Sequence, residues 1–494
     1  MAECSGADMT GRADAVDYAD AAGCADAADV AGFADVADFA GFEVHRLRQP
    51  LPICPELFGL APSPNISAWV GPHLALLGWG EYTAVESEAP DTLERAAARW
   101  AQLSGAAQHS GGTARTGHSE RTERTGRTGH SERTERTGRT GHSERTGHNR
   151  HTDTNKYDDA ELPCALPLAF GSFGFLRGGM LLIPETLLVI TKAASWVIGV
   201  DCEDLARRLD SLDGEAVRAA GRAALASIPG CGATHSEGGS LSESEWCAAV
   251  ATVRDMLRAG QADKVVLARD KKLRAQRDFD PRLLCAHLAR SYPSCWIYAV
   301  RGLVGATPEL LVGTRAGEFS CRVLAGTATA DEGEALLASE KDRREHEIAV
   351  ASVRSSLTPV ASSLDIPEQP GLLQLPNVCH LATDVRGRSE HSALGLAFAL
   401  HPTAAVCGQP TALARDILTD VEHMDRGRYA GPVGWVDAAG NGEFGIALRG
   451  GHITGNLITL YAGGGIMPQS IPAAEFAETE AKMLPMLSAV AESR

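Results

Sequence analysis

The chain has 494 residues, 44% of them hydrophobic, and a formal net charge of −17. That length suits one large or two ordinary domains, and the acidic balance excludes a general nucleic-acid binder. Twelve cysteines without a C-x-x-C pair suggest neither a zinc ribbon nor a disulfide framework, so reduced thiols in a cytoplasmic protein are expected.

Residues 1–41 form an Ala/Asp-rich tail with nine Asp or Glu against one Arg up to residue 40, a composition that favours disorder. It has neither the basic start nor the apolar run of a signal peptide. The longest apolar stretch, residues 180–190, is interrupted by Pro184 and Glu185 and is too short to span a bilayer. Residues 42–103 look folded: the alternating run before Trp79 suggests strands, and residues 91–103 read as an amphipathic helix. Between 104 and 160 the twelve residues RTGHSERTERTG, starting at Arg115, recur from Arg127, and a truncated copy starts at Arg139. The repeat has no apolar residue to bury between stacked copies, so it reads as a disordered insertion and not a solenoid.

Residues 161–494 alternate strand-like and helical patterns, which indicates a mixed α+β core. A helix starts near Ser242, where Ser242 and Glu245 have capping-box spacing, and Trp246, Val250, Val253 and Leu257 line one of its faces. The strand that follows begins at Lys264 and places Lys264, Val266 and Ala268 on one face. Further on, Asp342 with Glu345 and Glu475 with Glu478 are two carboxylate pairs spaced three apart, each on one face if helical. An isolated E-x-x-E is ordinarily a solvated helix face. Two such pairs brought together would suit Mg²⁺, which takes one or two carboxylates and leaves positions for ligand oxygens.

Several motifs follow one another in the second half: Lys264-Val-Val-Leu-Ala-Arg269, Gly305-Ala-Thr-Pro-Glu309, Leu324-Ala-Gly-Thr327, the segment from Ser339 to His346, and His380-Leu-Ala-Thr383. They continue with His401-Pro-Thr-Ala-Ala405, Arg428-Tyr-Ala-Gly-Pro-Val-Gly-Trp435, Ile446-Ala-Leu-Arg449, Tyr461-Ala-Gly-Gly-Gly-Ile466, and the stretch from Glu475 to Lys482. In this order they resemble the chorismate-utilising enzymes, in particular isochorismate synthases of the menaquinone or siderophore type. The likeness covers roughly residues 245–490 and leaves out the repeat and the acidic tail. It implies a single large α+β domain with two large antiparallel β-sheets flanked by helices.

The resemblance also implies a reaction: water adds to carbon 2 of chorismate while the carbon 4 hydroxyl leaves. By similarity Lys264 is the base, which must be partly deprotonated, and Glu309 the acid, kept protonated by an apolar setting. Glu345 and Glu478 would hold Mg²⁺, with Asp342 and Glu475 as outer or water-mediated ligands. Tyr429, Arg449 and Lys482 resemble contacts to the enolpyruvyl carboxylate, Arg449 being read as a strand residue that would otherwise be a surface guanidinium, and a turn at Gly463, Gly464 and Gly465 would offer backbone N–H groups to it. Gly326, Thr327 and His380 fall in pocket motifs, although for His380 a satisfied core histidine is an equal reading. Ala405 stands where pyruvate-eliminating relatives carry Thr, which favours stopping at isochorismate. The amine-using signatures are missing, so no glutaminase subunit is expected, and a monomer feeding menaquinone synthesis is the leading expectation. Siderophore synthesis, salicylate synthesis and, from another class, a non-catalytic scaffold working through its repeat are the alternatives. After Thr327 the segment from Ala328 to Asp331 is shorter than the loop common in relatives, which touches the pocket cap and not the metal residues.

Overall fold

The computed structural model describes residues 42–98, 100, 161–376 and 378–494. The tail at 1–41 and the insertion at 104–160, both expected to be disordered, lie outside the described residues. The helix expected over 91–103 is described over 92–98.

Two antiparallel sheets, of twelve and ten strands among the described residues, make up the molecule. Through the middle of the larger sheet run Ile66–Val70, Trp296–Val300, Leu303–Thr307, Gly450–Thr454, Leu457–Ile466 and Lys264–Ala275, each paired with the next. The smaller sheet includes Val378–Arg388, Glu318–Thr329, Leu310–Arg315, Gly442–Ile446, Pro432–Asp437 and Leu168–Phe173 in that order. The apolar stretch at 180–190 is two strands, Gly179–Ile183 of the smaller sheet and Thr186–Thr191 of the larger, joined at Pro184 and Glu185. No helix among the described residues is long and apolar enough to cross a membrane.

The helix Glu243–Arg258 starts at Ser242 with both capping-box hydrogen bonds made. Its face of Trp246, Val250, Val253 and Leu257 is buried in one cluster with Val265 and Leu267 of the neighbouring strand. Burial of those residues orients the strand: its odd positions face the helix, and its even positions, Lys264, Val266 and Ala268, face the other way. At roughly 1.5–3 kcal/mol for each large apolar side chain removed from water, this packing sets the strand's orientation firmly.

Of the short links that carry the chain between the sheets, two run side by side. One is Pro308-Glu309, between Leu303–Thr307 of the larger sheet and Leu310–Arg315 of the smaller. The other is residues 447–449, between Gly442–Ile446 and Gly450–Thr454. Ile446 N–H donates to Glu309 O at 3.1 Å, and Ala306 N–H donates to Arg449 O at 3.3 Å. Glu309 and Arg449 therefore stand together where strand pairing is interrupted.

Two expectations need correcting. Arg449 is not in a strand: it sits in a bend with φ 49°, a left-handed conformation uncommon for a residue with a side chain. Gly463, Gly464 and Gly465 do not form a turn. They belong to the strand Leu457–Ile466, paired in register with Ala268, Leu267 and Val266.

Candidate active site

Two helices lean over the glycine strand. Pro472–Glu492 begins with proline and carries Glu475, Glu478 and Lys482 at helical spacing along one face. Glu340–Leu357 starts at Ser339, whose hydroxyl accepts from Asp342 N–H, and carries Lys341, Asp342, Glu345 and His346 in its first turns. His346 pins this helix to the smaller sheet through Ala325 O at 3.2 Å and Thr383 Oγ1 at 2.7 Å.

The glycines are needed for space. A Cβ on Gly465 would lie 2.2 Å from Glu345 Oε1 and 2.8 Å from Lys264 Cε. One on Gly464 would lie 3.2 Å from Glu475 Oε2 and 3.7 Å from Glu478 Oε1. Glu345 thus lies against Gly465, and Glu475 with Glu478 against Gly464, the preceding residue of the same strand. Carboxylate oxygens are the donors a hard divalent cation takes, but among the described residues no three of Asp342, Glu345, Glu475 and Glu478 have ligand oxygens within 4.8 Å of one another. Each of three carboxylates also has a lysine beside it. Lys264 Nζ is 3.0 Å from Glu345 Oε1, Lys341 Nζ is 3.1 Å from Glu475 Oε1, and Lys482 donates to Glu478. The Lys264 contact is close enough for an ion pair but lacks hydrogen-bond alignment.

Above this floor a cavity opens between the sheets. Glu309, Gly326, Thr327, Glu345, His380, Ala405, Tyr429, Arg449, Gly463, Gly464, Gly465 and Lys482 all line it. The structure therefore brings together every predicted substrate-binding residue. Lys264, fully buried, lies beneath Glu345 and not on the wall itself, and Asp342, Glu475 and Glu478 form the tier behind the lining. A larger, shallower groove lined by Pro62, Arg277 and Arg282 is lined by none of these residues.

Burial and neighbouring charges set the protonation states. Burial pushes the Glu309 carboxyl up to about 8, against the opposing pull of the Leu324 N–H and of Lys264, Arg449 and Lys482. His380 is held well below its ordinary range by burial and by the charges of Arg449 and Lys482. Its tautomer follows: Arg449 donates to Nε2 at 2.8 Å, so Nδ1 carries the proton, 3.3 Å from Gly326 O and 3.1 Å from Thr327 Oγ1. His380 thus has partners on both nitrogens and also lines the cavity, so its two readings merge. For Glu345, burial works upward, but Lys264, Lys482 and Lys341 outweigh it and keep the carboxyl below its ordinary range. Burial raises Glu475 and Asp342, and the nearby Glu478 adds to the rise at Glu475. Tyr429, pushed up to about 12 by burial, remains a neutral phenol stacked on Tyr461 at 5.2 Å.

Two residues of this site escape a reading of the sequence. Glu422 and Arg426 are a buried ion pair, and Arg426 also lines the cavity. Glu422 accepts from Ala268 N–H at 2.7 Å, while Arg426 donates to Val266 O at 2.6 Å and Val406 O at 2.9 Å. Together they tie the lysine strand to the wall containing Ala405. Their spacing of four is visible in sequence, but it is equally common on solvated helix faces.

Two antiparallel sheets enclosing a cavity lined by acid, cation and arginine groups are the frame of one family. Residues 127–491 match the chorismate binding enzyme family, and the chain belongs to it. Among similar proteins, the salicylate biosynthesis isochorismate synthase of Pseudomonas aeruginosa is 40% identical over 260 residues, 50% of this chain and 54% of that protein. Isochorismate synthase MenF of Bacillus subtilis is 34% identical over 268 residues, 51% of this chain and 57% of that protein. The match thus spans little more than half the length of these curated relatives. In fold, the chain is similar to the menaquinone-specific isochorismate synthase MenF of Escherichia coli, with a TM-score of 0.64 and 21% identity over 91% of this chain and 95% of that one. Anthranilate synthase component I of Streptococcus pneumoniae is a more distant neighbour, with a TM-score of 0.54 over 66% of this chain.

Proposed function

We propose that this protein is a Mg²⁺-dependent isochorismate synthase acting in menaquinone biosynthesis. The observation that carries the reading is Glu309, a buried carboxyl raised to about 8, facing the same cavity as Glu345, Arg449 and Lys482. A neutral carboxylic acid at neutral pH can protonate a departing hydroxyl, and the cations can take the substrate's carboxylates. Named relatives include isochorismate synthases that cover half of this chain. The menaquinone assignment draws on the solved menaquinone-specific neighbour, which matches over most of both chains.

In this reading Lys264 in its neutral amine form accepts a proton from the attacking water, and the ion pair with Glu345, 3.0 Å from its Nζ, is the protonated form of the same pair. Glu309 gives its proton to the hydroxyl leaving carbon 4. Arg449, fixed by its bend and by His380, holds the enolpyruvyl carboxylate together with Tyr429 and Lys482. Glu345 and Glu478 would hold Mg²⁺, backed by Asp342 and Glu475. The ion supplies charge neutralisation and orientation for the ring carboxylate. No ammonia-delivering subunit is needed.

Incubating the protein with chorismate and MgCl₂ and resolving the products by chromatography tests the reaction. Isochorismate without pyruvate is expected, and a chorismate pool left unchanged would refute it. EDTA should abolish turnover, and Glu478→Gln should raise the Mg²⁺ concentration needed for half-maximal rate, because one anionic ligand is lost. Full activity in EDTA would remove the metal from the mechanism.

Product choice is read at Ala405, which lines the cavity with a methyl group that makes no hydrogen bond. Ala405→Thr adds a hydroxyl contact of about 1 kcal/mol, enough for a roughly fivefold shift in partitioning. Traces of salicylate and pyruvate should appear in chromatograms of this variant, with isochorismate still the main product. Stoichiometric pyruvate from the unaltered enzyme would instead establish a salicylate synthase.

A further inference from the structure

Lys264 and Lys482 have roles in the reaction proposed above, but Lys341 has none. It does not line the cavity, and its side chain is 32% exposed. It also sits in the first turn of the helix Glu340–Leu357, where the helix dipole favours the acidic residues Glu340 and Asp342 beside it. What holds it is a contact across to the other acidic helix. Its Nζ lies 3.1 Å from Oε1 of Glu475, the same oxygen that accepts from Ser470 Oγ at 2.6 Å. The other oxygen of Glu475 faces Gly464, over which Glu478 also leans. Lys341 is thus an ammonium on a stem, clamped to a buried carboxylate of the acidic floor.

We propose that Lys341 is a built-in counter-ion that competes with Mg²⁺ for the acidic floor, keeping the site's affinity for the metal low until an anionic substrate arrives. This rests on the Mg²⁺ reading above. A fixed positive charge at Glu475 repels a divalent cation brought to the same cluster, and in a partly buried site that repulsion is only weakly screened. It also balances Glu475 against Glu478, two carboxylates otherwise facing the same glycine. A dianionic substrate adds negative charge above the floor and shifts the competition toward the metal. Linkage then requires the metal to tighten the substrate by the same factor. Lys341 thereby couples the two binding events, which disfavours a site loaded with metal alone.

The test measures metal binding and not turnover. EDTA-stripped wild type, Lys341→Met and Lys341→Arg are heated across a series of MgCl₂ concentrations, with and without chorismate. The apparent Kd for Mg²⁺ is taken from the rise in thermal midpoint. Lys341→Met keeps the length of the side chain and removes the charge, and Lys341→Arg keeps the charge. Without chorismate, Lys341→Met should bind Mg²⁺ about tenfold more tightly than wild type, and Lys341→Arg should resemble wild type. The tightening of Mg²⁺ by chorismate should be correspondingly smaller in Lys341→Met. An unchanged or weaker Kd in Lys341→Met, with wild type binding Mg²⁺ normally, overturns the counter-ion role and leaves the metal reading standing. Absence of any Mg²⁺-dependent shift in wild type, with or without chorismate, overturns the metal reading and this inference with it.

Discussion

Glu309→Gln is expected to lower kcat by about 10²-fold or more, the usual worth of a positioned proton donor. Gln fills the same space but has no proton to transfer, so the apparent affinity for chorismate should change far less than the rate. The pH dependence is a second readout. Burial raises the Glu309 carboxyl to about 8, so the active, protonated form is lost as pH rises through that value. The wild-type rate should fall on the alkaline side with a midpoint near 8, and the residual rate of Glu309→Gln should lack that limb. The stability of the wild-type protein should fall over the same pH range. A carboxyl with a raised folded-state pKa contributes stability that is fully present below its unfolded value and lost as pH rises through about 8. Above that pH the wild-type protein carries a buried charge that Gln does not, so Glu309→Gln should melt no lower than wild type at pH 9. A variant that keeps its rate, or whose rate falls only because it unfolds, would remove Glu309 from the acid role.

Gly465→Ala should be nearly as damaging although it removes no functional group. The added methyl would lie 2.2 Å from Glu345 Oε1 and 2.8 Å from Lys264 Cε, distances that require both side chains to move. The groups it meets are side-chain ends, and the backbone pairing of Gly465 with Val266 is untouched, so the sheet should still form. Displacing the proposed base and the proposed metal ligand by about 1 Å would cost up to roughly 10² in rate. The expected outcome is a folded protein with far lower turnover and a weaker response to Mg²⁺. Gly371→Ala is the control: it also lies in a strand, but its Cβ would approach nothing nearer than Ala382 O at 4.0 Å. Wild-type turnover from Gly465→Ala would mean that Glu345 and Lys264 do not meet over this glycine.

Local patterns in the sequence were enough to define several parts of this protein. The Ser242 capping box, the buried face of the helix it starts, and the helical spacing of Asp342 with Glu345 and of Glu475 with Glu478 all depend on neighbours within a turn or two. The order of motifs carried the family and its two-sheet α+β architecture, and every predicted pocket residue faces the cavity. Local pattern was misleading where backbone shape depends on distant strands. Three consecutive glycines suggest a turn, yet ten residues of pairing with the lysine strand hold them extended. Arg449 reads as part of a strand, but the crossing between sheets bends it. Only the tertiary structure decided which charges meet. Lys264 and Glu345, Lys341 and Glu475, and Glu422 with the lysine strand are joined across long stretches of chain. Such pairings are set by sheet register and helix docking, and the burial that gives these groups their chemistry exists only once both sheets have closed over them.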